Sequence, residues 1–131
     1  MIKFLLDTNA VISLLNDVDS PLSKRVREHL PSDIGISSIV SHELFYGAFK
    51  SQRTKHNVDL VDCLQFEVLE FDKEDSRFAG EIRAQLTKQG TPIGPYDVLI
   101  AGQARARDLI LITNNMKEFK RVRGLLVENW Q

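Results

Sequence analysis

Short apolar segments alternate with longer helical segments along the chain, and this alternation constrains the fold more than any other feature. Ile2–Leu6, Ile34–Ser37, Phe66–Phe71 and Leu109–Thr113 have the length and composition of buried strands, and Leu125–Val127 those of a short fifth strand. Strands that alternate with helices predict βαβ units, whose right-handed crossovers build a mostly parallel sheet. The pattern therefore predicts an α/β fold with a central sheet of four to five strands flanked by helices.

The segments between the predicted strands carry recognisable helix starts and stops. Ser20-Pro21 is an N-cap followed by a proline in the first turn, and Ser41 is a candidate N-cap for the helix after the second strand. Gly90 is placed to end the helix before it, and Gly94-Pro95 to open the next. The predicted helices are Thr8–Leu15, Pro21 to about Leu30, Ser41 onward, Asn57–Gln65, Lys73–Gln89 and Tyr96–Ala106.

Composition limits the class of protein. The chain has 131 residues, of which 43% are hydrophobic and 27% charged, as expected for one soluble globular domain over residues 1–131. No apolar run approaches the roughly 18 residues that a membrane span requires, and Met1–Leu6 has the pattern of a strand and not of a signal peptide. The single cysteine, Cys63, is expected to pack in a helix, and it excludes an intramolecular disulfide. We therefore expect a cytoplasmic protein without a membrane partner.

Charge is unevenly distributed, although the net charge is only −1. Between residues 101 and 125 the chain carries six cations and two anions. Within this segment Lys120 and Arg121 are candidate contacts for a nucleic-acid backbone. The alternative is that these cations form an ordinary solvated helix face.

Acidic residues follow strands or begin helices at separate points in the chain. Asp7 follows the first strand, Glu43 lies early in the helix after the second, and Asp97 lies in the first turn after Pro95. Asn115 follows the fourth strand. Because the carboxyl ends of parallel strands share one edge of the sheet, these side chains are expected to converge there and to hold a divalent cation with oxygen ligands. Singly, each acid could instead cap a helix or stabilise its first turn.

Four segments together resemble the motifs of PIN-domain proteins. Leu5–Asn9 is similar to the opening strand and turn of that family. Ile36–Ser38 with His42–Ala48 resembles the second motif, Gly94–Ala101 the third and Thr113–Phe119 the fourth. The resemblance covers nearly the whole chain in the same order and spacing. The small size points, within that family, to the VapC toxins of toxin–antitoxin pairs.

The resemblance implies a PIN-like fold and Mg²⁺- or Mn²⁺-dependent endonucleolytic cleavage of RNA. Asp7, Glu43 and Asp97 match the acidic ligands of the family. Its fourth acidic position is Asn115 here, and Glu118 is the nearest acid that could substitute for it. The polar residues that match positions beside the metal and the phosphate are Thr8, Asn9, Thr113 and Asn114.

The same resemblance implies partners. It implies a VapB-type antitoxin, a homodimer, and RNA as substrate, with transfer RNA as the expected target class. Two other functions stay open at this point. One is an α/β module whose acids hold a metal without chemistry. The other is a metal-dependent DNA nuclease, for which 131 residues leave little room to grip a duplex.

Overall fold

Five parallel strands form the central sheet, in the order β3-β2-β1-β4-β5. The computed structural model describes residues 1–131. All four strand pairings are parallel, so the sheet is wholly parallel where a mostly parallel one was predicted. The strands are β1 Phe4–Leu6, β2 Ile34–Ser37, β3 Glu67–Leu69, β4 Ile110–Ile112 and β5 Leu126–Glu128.

The first strand lies at the centre of the sheet. The chain proceeds from β1 to β2 and β3 on one side, and later adds β4 and β5 on the other. Strand order therefore reverses between β1 and β4, and ligands of open α/β sheets bind in the crevice at such a point. Asp7 follows β1 and Thr113 follows β4, so the polar residues predicted from the sequence flank this crevice.

Seven helices connect the strands, and local signals explain most of their ends. Ser20 caps α2 by accepting a hydrogen bond from Ser23, with Pro21 in the first turn as predicted. Asp72 and Asp75 form a capping box at the start of α5, and Gly90 follows its end with φ of +71°. The helices are α1 Thr8–Asn16, α2 Pro21–Arg27, α3 Ser38–Phe49, α4 Thr54–Asp62, α5 Lys73–Lys88, α6 Pro95–Ala106 and α7 Met116–Phe119.

The helices differ from the sequence-based expectations in four respects. The N-cap of α3 is Ser37, whose hydroxyl accepts from Ile39 N at 3.0 Å, and not Ser41, which lies inside the helix. The helix predicted at residues 57–65 begins and ends three residues earlier, and the short helix α7 was not predicted. Cys63 is exposed at the end of α4, because α4 presents no buried residue there, and does not pack.

The hydrophobic core lies on both sides of β1 and β4. Leu5, Leu6 and Leu111 are completely buried, as expected for central strands of a parallel sheet covered on both faces. Trp130 is buried near the carboxyl terminus. No helix of the structure combines the length and the apolar character that crossing a membrane requires.

Candidate active site

Asp7 is buried at the carboxyl end of β1 and has both carboxylate oxygens in use. Its Oδ1 accepts the Ala10 N–H at 2.8 Å, so Asp7 is the N-cap of α1. Its Oδ2 accepts the hydroxyl of Thr113, which follows β4. Burial raises the pKa of Asp7, and the charge of Glu43 adds to this; the two hydrogen bonds oppose it without cancelling it. Asp7 is therefore both a helix cap and the carboxylate at the centre of the crevice.

Glu43 reaches the same crevice from α3. Its Oε1 accepts the hydroxyl of Thr8 at 2.8 Å, which joins α3 to the start of α1 across 35 residues of sequence. Because α3 begins at Ser38, Glu43 lies in the second turn, and not in the first turn as the expected cap at Ser41 implied. The backbone N–H groups of this helix terminus are correspondingly farther from the carboxylate than predicted. Glu43 is thus held by a side-chain hydroxyl.

Asp97 lies in the first turn of α6 and carries the clearest electrostatic signature of the site. Burial raises its pKa to about 6, and the charges of Glu118, Asp7 and Glu43 contribute to the shift in that order. A Cβ at Gly94 would lie 3.1 Å from Asp97 Oδ2, so glycine lets the carboxylate approach the backbone. From the sequence, Gly94 was predicted only to start a helix. Its place three residues before an acid in a first turn was the available signal.

Asn115 and Glu118 both lie at the site, on either side of the start of α7. The Asn115 side-chain amide donates to the Glu118 carboxylate, and the Asn115 backbone N–H donates to Thr113 Oγ1 at 2.9 Å. Glu118 is the charge that acts most strongly on Asp97. Four carboxylates, one directly after β1 and the others on α3, α6 and α7, therefore share one edge of the sheet.

The donor chemistry of these four acids fits a hard divalent cation, which prefers carboxylate oxygens. As the side chains stand, no three His, Cys, Asp or Glu groups are arranged to hold a metal ion. Like charges in one crevice keep apart and raise each other's pKa, as Asp97 shows. A bound cation would supply the positive charge that compensates this repulsion.

The residues expected beside the phosphate divide into two groups. Thr113 is buried and its hydroxyl donates to Asp7, so it is not on a surface that substrate can reach. Thr8 is half-buried and bonded to Glu43. Asn9 and Asn114 are exposed at the same edge.

The basic segment late in the chain does not act as one surface. Arg107 is tied to the buried Asp75 by a contact of 2.9 Å and is not free for nucleic acid. Arg121 donates to Pro92 O at 2.9 Å, whereas Lys120 is exposed without an acidic partner. Of the two candidate phosphate contacts, Lys120 is therefore the freer.

An aliphatic groove runs beside the acids, between α1, α3 and α4. Glu43 lines one end of it, and the remaining lining is mostly apolar. Its apolar side chains include Ile12, Leu15, Leu44, Leu60 and Val61.

A family model and curated proteins both match nearly the whole chain. The PIN domain family model matches residues 4–125. The chain is 44% identical to the tRNA(fMet)-specific endonuclease VapC of Shigella flexneri over 133 residues, which is 99% of each chain.

Solved structures of similar proteins superpose on the whole chain. The fold superposes with TM-score 0.95 on a chain of the DNA-bound VapBC complex of Salmonella typhimurium, at 41% identity and with full coverage of both chains. It superposes with TM-score 0.92 on a chain of Rickettsia felis VapBC2 bound to a promoter DNA fragment, at 36% identity and also with full coverage.

Proposed function

The chain belongs to the PIN-domain family and, within it, to the VapC endoribonucleases, and we propose that it acts as a toxin that cleaves transfer RNA at the acidic site. The observation that carries this proposal is the set of four carboxylates on one sheet edge, with the pKa of Asp97 raised to about 6 by burial and by its acidic neighbours. Family members are metal-dependent, and the all-oxygen donor set favours Mg²⁺ or Mn²⁺ as the ion here.

Asp7, Glu43, Asp97 and Glu118 would hold the ion. When bound, the divalent cation supplies charge neutralisation for the acids and the phosphate, and lowers the pKa of a water ligand. Thr113 and the Ala10 N–H orient Asp7, and Thr8 orients Glu43, so two ligands are aligned before substrate arrives. The side-chain amide of Asn115 donates to the Glu118 carboxylate and holds it at the site. This contact favours Glu118, and not Asn115, as the fourth ligand.

Exposed polar groups at the same edge would receive the RNA. Asn9 and Asn114 can donate amide hydrogen bonds to phosphate oxygens, and Lys120 adds a positive charge. The lone, exposed Cys63 fits a reducing compartment, and we propose a cytoplasmic location and a homodimer.

Cleavage assays with purified protein test the activity. Transfer RNA, unstructured RNA and single-stranded DNA are offered with Mn²⁺, with Mg²⁺ and with EDTA. We expect metal-dependent cleavage of transfer RNA that EDTA abolishes. Preferred cleavage of DNA would assign a DNA nuclease instead, and metal binding without cleavage of any substrate would assign a non-catalytic module.

Asp7→Asn tests the site. Asparagine caps helices about as well as aspartate, and the Thr113 hydroxyl can rotate to accept from its amide, so the fold should persist. The loss of charge should reduce cleavage by at least about 100-fold, on the order of other electrostatic site deletions. His56→Ala, on the exposed face of α4, is the matched control and should cleave normally. Full activity of Asp7→Asn would remove Asp7 from the site.

We propose further that a VapB-type antitoxin is the partner and that an apolar segment of it lies in the groove between α1, α3 and α4. Support comes from the lining of the groove and from its position, because an arginine or lysine on that segment could reach Glu43. Leu60→Gln should weaken antitoxin binding about tenfold, which corresponds to about 1.4 kcal/mol of lost burial. RNA cleavage by free Leu60→Gln should be unchanged. Leu126→Gln, an equally polar change on exposed β5, is the control. Equal affinity of both variants would place the antitoxin elsewhere.

A further inference from the structure

An exposed strip of aromatic side chains lies on a different face of α3 from the one that lines the aliphatic groove. It consists of Tyr96 on α6 and of His42 and Tyr46 on α3. The His42 and Tyr96 rings have centroids 5.7 Å apart, and Tyr46 lies one turn beyond His42 on the same helix face. Tyr96 is 46% exposed and Tyr46 is 61% exposed, although large aromatic residues contribute most when buried. Within the chain, the ring contacts of the strip are that between His42 and Tyr96 and that of Lys50 with Tyr46.

The strip is attached to the active site through the chain. His42 directly precedes Glu43, and Tyr96 directly precedes Asp97. Consecutive helix residues project about 100° apart, so when the carboxylates face the crevice the two rings flank it. Any polymer that presents a phosphate to the acids would therefore place its neighbouring units against these rings.

The charge of the strip suits a polyanion. Lys50 Nζ lies 4.7 Å from the centroid of the Tyr46 ring, and Arg53 is exposed just beyond the end of α3. None of the ion pairs of the structure involves Lys50 or Arg53. The groove between α1, α3 and α4, by contrast, has an aliphatic lining and carries the carboxylate of Glu43. Rings with polar tips beside cations that have no acidic partner match nucleic acid better than they match the apolar face of a protein.

From these observations we infer that Tyr96, with His42 and Tyr46, stacks unpaired bases of the RNA next to the scissile phosphate, and so restricts cleavage to single-stranded segments. This inference rests on the proposed function. Unpaired bases in loops expose the faces that aromatic side chains stack on, whereas paired bases in an A-form stem do not. The acids then act on the sugar-phosphate backbone of the RNA, and the strip admits the backbone of unpaired segments.

Tyr96→Leu and Tyr96→Phe provide the test, because only the first removes the ring. Binding is measured in the Asp7→Asn background, in which RNA should not be consumed, with a hairpin RNA that carries 2-aminopurine in its loop. Stacking quenches the fluorescence of that base. We expect Tyr96→Leu to raise Kd about 5- to 100-fold and to abolish the quenching, and Tyr96→Phe to retain both. Binding of a fully paired duplex should be weak and equal in all three proteins.

Further measurements separate the possible failures. With Asp7 intact, Tyr96→Leu should raise KM for a cleaved RNA more than it lowers kcat, and calorimetric Mn²⁺ affinity should not change. His42→Ala should also weaken binding of the hairpin RNA, and His56→Ala, which removes an exposed histidine of α4, is its matched control. If Tyr96→Leu leaves RNA affinity unchanged but alters the oligomeric state in sedimentation, the inference is overturned and the strip is assigned to a protein interface. Unchanged RNA affinity alone would also overturn it. If the unmodified protein neither binds nor cleaves RNA, the proposed function fails as well.

Discussion

Gly102→Ala should destabilise the protein, because Gly102 is where α6 touches α5. A Cβ built at this position would lie 2.6 Å from both Cα and Cβ of Ala79 and 2.7 Å from its backbone N. Carbon atoms in contact need about 3.5–4.0 Å. The helices would therefore have to separate by roughly 1 Å, since backbone atoms cannot rotate away as a flexible side chain would.

Two opposing terms set the magnitude. Replacing glycine by alanine in a helix interior stabilises it by about 1 kcal/mol. Overpacking a close-packed core costs about 1–3 kcal/mol, and contact with backbone atoms places this site at the upper end. The net change should thus be a loss of about 1–2 kcal/mol of unfolding free energy, or a Tm lower by about 3–8 °C for a chain of this length.

Gly80 on α5 provides the matched control. A Cβ at Gly80 meets nothing within 4 Å, so Gly80→Ala should show the helix-propensity gain alone, about 1 kcal/mol. Urea unfolding followed by circular dichroism compares the two variants with the unmodified protein. The two alanine variants should differ by about 2–3 kcal/mol. A Gly102→Ala protein as stable as Gly80→Ala would refute the close helix approach.

Three further predictions concern other groups. Burial favours a higher pKa for Asp75, but hydrogen bonds from Arg107, the Asp72 N–H and Gln103 outweigh it and hold the pKa below its usual range. The stabilisation from this depressed pKa is present above the unfolded value of about 4 and is lost as pH falls through the folded value. Asp75→Asn should therefore lower the free energy of unfolding by about 2–3 kcal/mol at pH 7 and by much less near pH 3, as measured by urea unfolding. A loss of the same size at both pH values would contradict the ion pair between Asp75 and Arg107. Glu118→Gln should weaken Mn²⁺ binding roughly tenfold in calorimetry, and Asn115→Ala should weaken it less. A larger loss of Mn²⁺ affinity in Asn115→Ala would make Asn115 the fourth ligand. Lys120→Ala should reduce the slope of log binding constant against log salt concentration for RNA by about 0.7–0.9, whereas Lys88→Ala should leave this slope unchanged. Equal slopes for the two variants would show that Lys120 does not contact RNA.

Much of the fold was predictable because its signals are local. Caps and breakers such as Ser20-Pro21, Gly90 and Gly94-Pro95 act through hydrogen bonds and dihedral angles within a few residues. Hydrophobic runs of strand length located β1, β2 and β4 to within two residues. The α3 start was missed because Ser37, Ser38 and Ser41 are all chemically able to cap, and only the end of β2 decides among them.

The candidate site was predictable in its residue types and less so in its contacts. A parallel sheet brings strand ends to one edge whatever the strand order, so the convergence of Asp7 and Asn115, which follow β1 and β4, could be expected from the alternation alone. The inward position of Glu118 could not, because the helix that carries it, α7, has only four residues and no distinct periodicity.

By itself, the sequence determined the α/β class, most element positions, and the edge at which the acids meet, since each depends on neighbours along the chain. Tertiary structure alone decided the strand order, the bonds from Thr113 to Asp7 and from Thr8 to Glu43, and the withdrawal of Arg107 to Asp75. These contacts join residues 32 to 106 positions apart. Their formation depends on how helices pack around the whole sheet, and no local pattern encodes that packing.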